Sequence, residues 1–232
     1  MIRPEWSGLK KLLATNAMIK AKKPETYITD GLVLRMDGIE KGSTVGAWTD
    51  RVTGHVFEAV NGFTDGENYV GLNAESSQYL RNSTLNIGVE KTDSTIEVVI
   101  SDYSNGMMIF FPKVARQIAF GTRASSNHII WSSGGSCDTV AYDNNSKIFS
   151  ITYQSGNLNA LALVNGVVPS LSSGNYFDGA DDTYNYIGCR PNNNYATAKI
   201  YAIRIYNRCL TLDEMLHNQR VDNARFALGL DI

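Results

Sequence analysis

The chain is poor in the residues that most often announce a chemistry. It has only 3 histidines and 3 cysteines among 232 residues. His55, His128 and His217 lie far apart, and none has the spacing of a metal ligand. Cys137, Cys189 and Cys209 form no Cys-x-x-Cys pair. An odd number at wide spacing argues against a disulfide framework and for buried thiols that pack as small apolar groups. No stretch approaches the roughly 18 consecutive apolar residues of a membrane span, so no membrane span is expected. The formal net charge of -2 supplies no broad basic field, which makes nucleic acid a poor expectation as partner. A Gly-x-Ser-x-Gly elbow and a phosphate-cradling glycine loop ahead of a helix are both missing. The amino-terminal MIRPEWSGLKKLLATNAMIKAKK has Lys10 and Lys11 among its apolar positions and no small-residue cleavage site, so no signal peptide is read there. Its location is left open between a protein made without export and one that reaches the outside by another route, for example in a virus particle.

What the chain does have is short apolar runs separated by turn dipeptides. Asn61-Gly62, Asp65-Gly66, Asn105-Gly106, Gly134-Gly135, Asn144-Asn145, Gly156-Asn157 and Asn165-Gly166 punctuate candidate strands. These strands are expected near His55–Val60, Tyr69–Asn73, Tyr79–Arg81, Ser94–Ser101, Met107–Phe111, Gln117–Thr122, His128–Ser132, Thr139–Tyr142, Lys147–Tyr153 and Leu158–Val164. Many short strands without intervening helices predict an antiparallel sandwich rather than an α/β fold. Helices are expected only at the ends. In Pro4–Lys22, Trp6, Leu9, Leu13 and Ala17 recur at helical spacing, predicting an amphipathic arm over residues 1–29 that docks on its own domain or on another chain. Thr211 and Glu214 have the spacing of a capping box, predicting a second helix over Leu212–Phe226 with Leu212, Met215, Leu216 and Phe226 buried.

The carboxy-terminal run from Tyr184 to Leu216, YNYIGCRPNNNYATAKIYAIRIYNRCLTLDEML, is a short strand, a polar loop, a long alternating strand and a helix start. In the long strand, Ile200, Ala202, Arg204 and Tyr206 are expected on one face, with Tyr201, Ile203, Ile205 and Asn207 on the other. This order resembles the closing segment of laminin-G-like domains of the concanavalin A-like lectin and glucanase superfamily. GLVLRMDG at residues 31–38, the later Trp48-Thr49-Asp50, the central STIEVVIS and the hairpin piece LNALALVNGVV are similar landmarks. The resemblance covers residues 30 to 216. It implies an all-β, antiparallel β-sandwich jelly roll of concanavalin A-like type over residues 30–232, flanked by an N-terminal and a C-terminal α-helix.

The superfamily includes glycoside hydrolases, whose retaining members need two carboxylates about 5 Å apart. Relatives of that kind carry a Glu-x-Asp-x-Glu strand, and no glutamate here is followed two places on by aspartate. Glu97 and Asp102 have an odd separation, which sends them to opposite faces of a strand. No catalytic residue is therefore expected, and a hydrolase is the minority alternative. Calcium is the cofactor to weigh, because Asp178, Asp181 and Asp182 in FDGADDTYN could offer oxygen ligands, although clustered loop aspartates are commonly solvated turn residues. Sugar binding needs an aromatic platform ringed by planar hydrogen-bonding groups. Trp131 beside a Ser-Gly loop, Tyr142 with Asp143 and Asn144, and Asn192 with Tyr195 are the candidates. The expectation is a non-catalytic recognition or assembly module. It could serve a bacteriophage virion as a tail, fibre or capsid-decorating protein, with neighbouring subunits or a homo-oligomer as partners and a glycan as a further ligand on the concave face or rim loops. The alternative is a cell-surface, lectin-like protein whose partner is a glycan.

Overall fold

Side chains that alternate between two faces build two stacked sheets. The computed structural model describes residues 26–42, 45–85, 93–104, 106–111, 118–123, 128–133, 136–141, 147–153, 161–170, 172–175, 184–190 and 194–232. In chain order the first strands are β1 (Leu32–Asp37), β2 (Ala47–Thr49), β3 (Val56–Val60), β4 (Thr64–Asp65), β5 (Val70–Leu72) and β6 (Tyr79–Asn82). There follow β7 (Ser94–Ser101), β8 (Gly106–Phe111), β9 (Ile118–Arg123), β10 (His128–Ser133), β11 (Ser136–Ala141) and β12 (Ile148–Tyr153). The last are β13 (Ala162–Val164), β14 (Ser172–Asn175), β15 (Asn185–Ile187), β16 (Cys189–Arg190), β17 (Asn194–Tyr195) and β18 (Ala198–Tyr206), then helix α1 (Leu212–Arg225).

One sheet runs β13-β12-β7-β18-β5-β4, with β1 also paired to β18. The other runs β14-β11-β10-β9-β8-β15-β6-β3-β2. The pairings are antiparallel, and the protein is an all-β sandwich with a C-terminal helix. Between the layers, Leu34, Met36, Val98, Ile100, Ile203 and Ile205 of the first sheet meet Trp48, Phe57, Leu80, Phe111, Phe120 and Ile187 of the second. Each such side chain contributes about 1.5–3 kcal/mol by leaving water. Turn chemistry sets the edges of the strands. Asn165 and Gly166 both have positive φ, 47° and 80°, and Val164 bridges Val167 across them, the geometry an Asn-Gly hairpin favours. Ser133 of β10 pairs with Ser136 of β11.

Two of the strand expectations need correction. The alternation of β18 is not strict, because its register with β7 shifts between Ile200 and Ala202. That bulge turns Ile200 into the inter-sheet core with Ile203 and Ile205, while Ala202 joins a separate cluster with Val99 and Phe226. The run Tyr184–Cys189 is also interrupted, with β15 ending at Ile187 and β16 beginning at Cys189.

Helix α1 covers the outer face of the first sheet. Thr211 and Glu214 form the expected capping box, and Met215 packs with Leu163, Tyr206 and Leu210. Leu212, expected inside, is 38% exposed. The helix instead buries Asn218, Gln219 and Asp222. Polar groups face inward there because β7 and β18 present Glu97 and Arg204 on the same side, and each is matched by hydrogen bonds. The expected helix at Pro4–Lys22 and the aspartates Asp178, Asp181 and Asp182 lie outside the described residues. Among the described residues, no helix is long and apolar enough to cross a membrane.

Candidate functional site

With α1 over the first sheet, the outer face of the second sheet carries a cluster of tyrosines. Strand β6 turns Leu80 and Asn82 inward and leaves Tyr79 and Arg81 half-buried on the outside. The stretch leading into β15 does the same, burying Asn185 and Ile187 and leaving Tyr184 and Tyr186 half-buried. Register aligns these side chains, since Arg81 is opposite Glu58 on one side and Tyr186 on the other. Tyr195 arrives on β17, whose partner on β16 is Cys189.

The result is a continuous row of four tyrosines. Ring centroids are 6.0 Å apart from Tyr195 to Tyr79, 6.0 Å from Tyr79 to Tyr186 and 6.1 Å from Tyr186 to Tyr184. At the far end the Arg81 guanidinium carbon lies 4.7 Å from the Tyr184 ring centroid, a cation–π contact. Burial pushes the Tyr79 hydroxyl above its ordinary pKa, while Arg81, hydrogen-bonded to it, pulls the other way.

Beside Arg81 opens a cleft of about 380 Å³. His55, Glu58, Arg81 and Tyr184 are among its lining residues. Its floor is shaped by Asn82, whose Nδ2 donates to the Val56 carbonyl at 2.6 Å and whose Oδ1 accepts from the Leu85 N–H at 2.5 Å. Those bonds commit Asn82 to structure. Glu58 is exposed, and the buried Nε of Arg81 has no hydrogen-bond partner among the described residues. The cleft thus offers a carboxylate acceptor and a guanidinium donor next to aromatic faces.

Of the residues singled out from sequence, Tyr195 is in this row. Trp131 is on β10, in register with Phe120 of β9 and Asp138 of β11, and its side chain is outside the described set. Tyr142, Asp143, Asn144 and Asn192 lie outside the described residues. Sequence reasoning missed Tyr79, Arg81, Tyr184, Tyr186 and Glu58. A signal existed, because Tyr79/Arg81 and Tyr184/Tyr186 are each two residues apart and so share a face.

A second concentration of charge is closed to solvent. Glu97, Arg204 and Asp222 are each at most 1% exposed. Arg204 Nε donates to Glu97 at 2.8 Å, and its Nη1 to Asp222 at 2.8 Å. Burial pushes both carboxyls upward, and Arg204 opposes it. Two carboxylates share one guanidinium, so the direction we assign is upward for the pair. Ser150, Asn218 and Gln219 complete the network, and the Tyr27 ring lies 4.2 Å from the Arg204 guanidinium carbon. It binds helix to sheet. Among the described residues, no group of three or more His, Cys, Asp or Glu side chains could hold a metal ion. The thiols of Cys189 and Cys209 are buried and half-buried.

Fold and site together define an antiparallel β-sandwich with one face covered by a helix and an aromatic row on the other. No family model matches the sequence, and no curated protein matches it. Solved structures do match the fold. The chain superposes on a Trypanosoma rangeli sialidase in complex with the inhibitor DANA with a TM-score of 0.57 at 13% identity, covering 92% of this chain and 39% of that one. It matches domain 4 of a GH43 extracellular arabinanase from Geobacillus stearothermophilus, in complex with arabinotriose, with a TM-score of 0.53 at 12% identity, covering 80% and 96%. A mutant of HCR D/C VPI 5995 gives a TM-score of 0.53 at 10% identity, covering 82% and 52%. The chain therefore spans about two fifths of the sialidase chain and nearly all of the arabinanase domain. At these identities the likeness is one of fold.

Proposed function

We propose that this protein is a non-catalytic, glycan-binding β-sandwich module of concanavalin A-like type, and that the outer face of its second sheet is the binding surface. The observation that carries the reading is the row Tyr195–Tyr79–Tyr186–Tyr184, ending at Arg81. Aromatic faces suit the apolar C–H face of a sugar ring, and the adjacent Arg81 and Glu58 can orient hydroxyls. Two of the solved neighbours, a sialidase with its inhibitor and an arabinanase domain with arabinotriose, come from carbohydrate-active proteins and are compatible with this reading. The absence of catalysis is part of the proposal. Among the described residues lining the cleft, Glu58 is the one carboxylate, whereas glycosidic hydrolysis generally needs a pair.

The test is a broad glycan array on the purified protein and on Tyr79→Ala. Binding by the parent, reduced about tenfold or more in a Tyr79→Ala variant with an unchanged circular dichroism spectrum, supports the proposal. A blank array, or binding indifferent to Tyr79, sinks it. The competing proposal is an assembly role, for example in a virion, with the amino-terminal arm packed on neighbouring subunits. It predicts a defined oligomer that is disturbed when residues 1–23 are deleted.

A further inference from the structure

Resting on that reading, we infer that the ligand is a neutral, linear oligosaccharide of about three or more units, laid along the tyrosine row with one unit in the Arg81–Glu58 cleft, rather than a single terminal or acidic sugar. Two independent observations carry this.

The first is length. A lone sugar ring needs one aromatic partner, yet four rings follow one another at 6.0, 6.0 and 6.1 Å, steps comparable to a sugar unit in a chain. They come from three separate segments, β6, the β15 region and β17. A ligand confined to the cleft would reach Tyr184, which lines it, and leave Tyr195 at the other end of the row untouched. A chain laid along the row would use every ring.

The second is charge. Arg81 and Glu58 are directly opposite in register on neighbouring strands, and both border the cleft. A cation set opposite an anion on the neighbouring strand gives an acidic sugar little net attraction, because a carboxylate drawn to Arg81 also approaches Glu58. The same pair suits vicinal hydroxyls well, since Glu58 accepts and Arg81 donates.

The experiment is isothermal titration of the full chain with unbranched neutral series (cello-, xylo-, manno- and arabino-oligosaccharides of one to six units) and with oligogalacturonides of matched length. The expected result is a rise in affinity of about tenfold or more from one to three units in at least one neutral series, levelling off near four. In Tyr195→Ala that gain with length shrinks, and in Glu58→Gln the oligogalacturonides gain relative to the neutral chains. Equal affinity for one and three units overturns the inference while the glycan-binding proposal stands. So does a preference of the parent protein for the acidic series. Absence of binding by every saccharide, here and on the array, overturns both.

Discussion

Arg204 of the last strand grips Asp222 of helix α1 with both terminal nitrogens while its Nε holds Glu97 of β7 at 2.8 Å. One guanidinium thus ties the helix to the two central strands of the first sheet. Removing it would strand two carboxylates at positions fully closed to water. Arg204→Met is expected to destabilise the fold by about 3–5 kcal/mol, the usual cost of breaking a buried pair from one side. Urea denaturation measures this, and a loss under about 1 kcal/mol would show that the network is not holding the helix.

The segment just before β1 closes over that network. The Tyr27 hydroxyl donates to Asp222 at 2.9 Å, the Ile28 N–H donates to Asn218 at 2.9 Å, and the Tyr206 hydroxyl donates to the Ile28 carbonyl. Tyr27→Phe keeps the ring on Arg204 and loses only the hydroxyl, so a cost of about 1–3 kcal/mol is expected, with Tyr27→Ala costing more. Equal stability of Tyr27→Phe and Tyr27→Ala would mean that the stack on Arg204 contributes nothing.

Acid should act through the helix cap. Hydrogen bonds from Arg208 hold the Glu214 carboxyl down at about 2, against an ordinary value of 4.5, with the Thr211 backbone helping. A depressed carboxyl contributes stability above its unfolded value and loses it as pH falls through the folded one. The stability difference between the parent and Glu214→Gln should therefore be fully present at pH 7, shrink below about 4.5 and vanish near 2. Glu97 and Asp222, pushed upward, work in the opposite sense, and their contribution is lost as pH rises. A Glu214→Gln difference that is constant from pH 7 to pH 3 would refute the assignment.

Gly106 positions one end of the tyrosine row. Its φ is 150°, and a Cβ there would lie 2.3 Å from the Tyr195 carbonyl oxygen and 2.6 Å from Ala196 Cα. Gly106→Ala must push β17 away, at an expected cost of about 1–3 kcal/mol. If Tyr195 contacts ligand, the variant should also lose affinity for longer oligosaccharides more than for short ones. Unchanged stability and unchanged binding would show that β17 moves without consequence.

Much of the architecture could be read in one dimension. Turn dipeptides and period-two patterning mark strands whose ends agree with the structure to within a residue or two over β3, β6, β7, β9 and β12. The Thr211–Glu214 spacing announces α1 because a capping box is a local arrangement needing no distant partner. The bulge in β18 was not legible, since the register shift is a property of its pairing with β7. Nor was the burial of Asn218, Gln219 and Asp222, polar residues that read as an exposed helix face until Glu97 and Arg204 lie beneath them.

The site divides in the same way. Tyr195 was a candidate by type and loop context, and Tyr184/Tyr186 and Tyr79/Arg81 each share a face through local alternation alone. What joins them into one row is the pairing of β6 with β15 and the approach of β17, contacts between segments more than a hundred residues apart. The sequence by itself therefore determined the strand-rich sandwich and its capped helix, because propensity, turn chemistry and capping act within a few residues. Only the tertiary structure decided which outer face is covered and which tyrosines stand together, because register and packing are settled between strands, not along them.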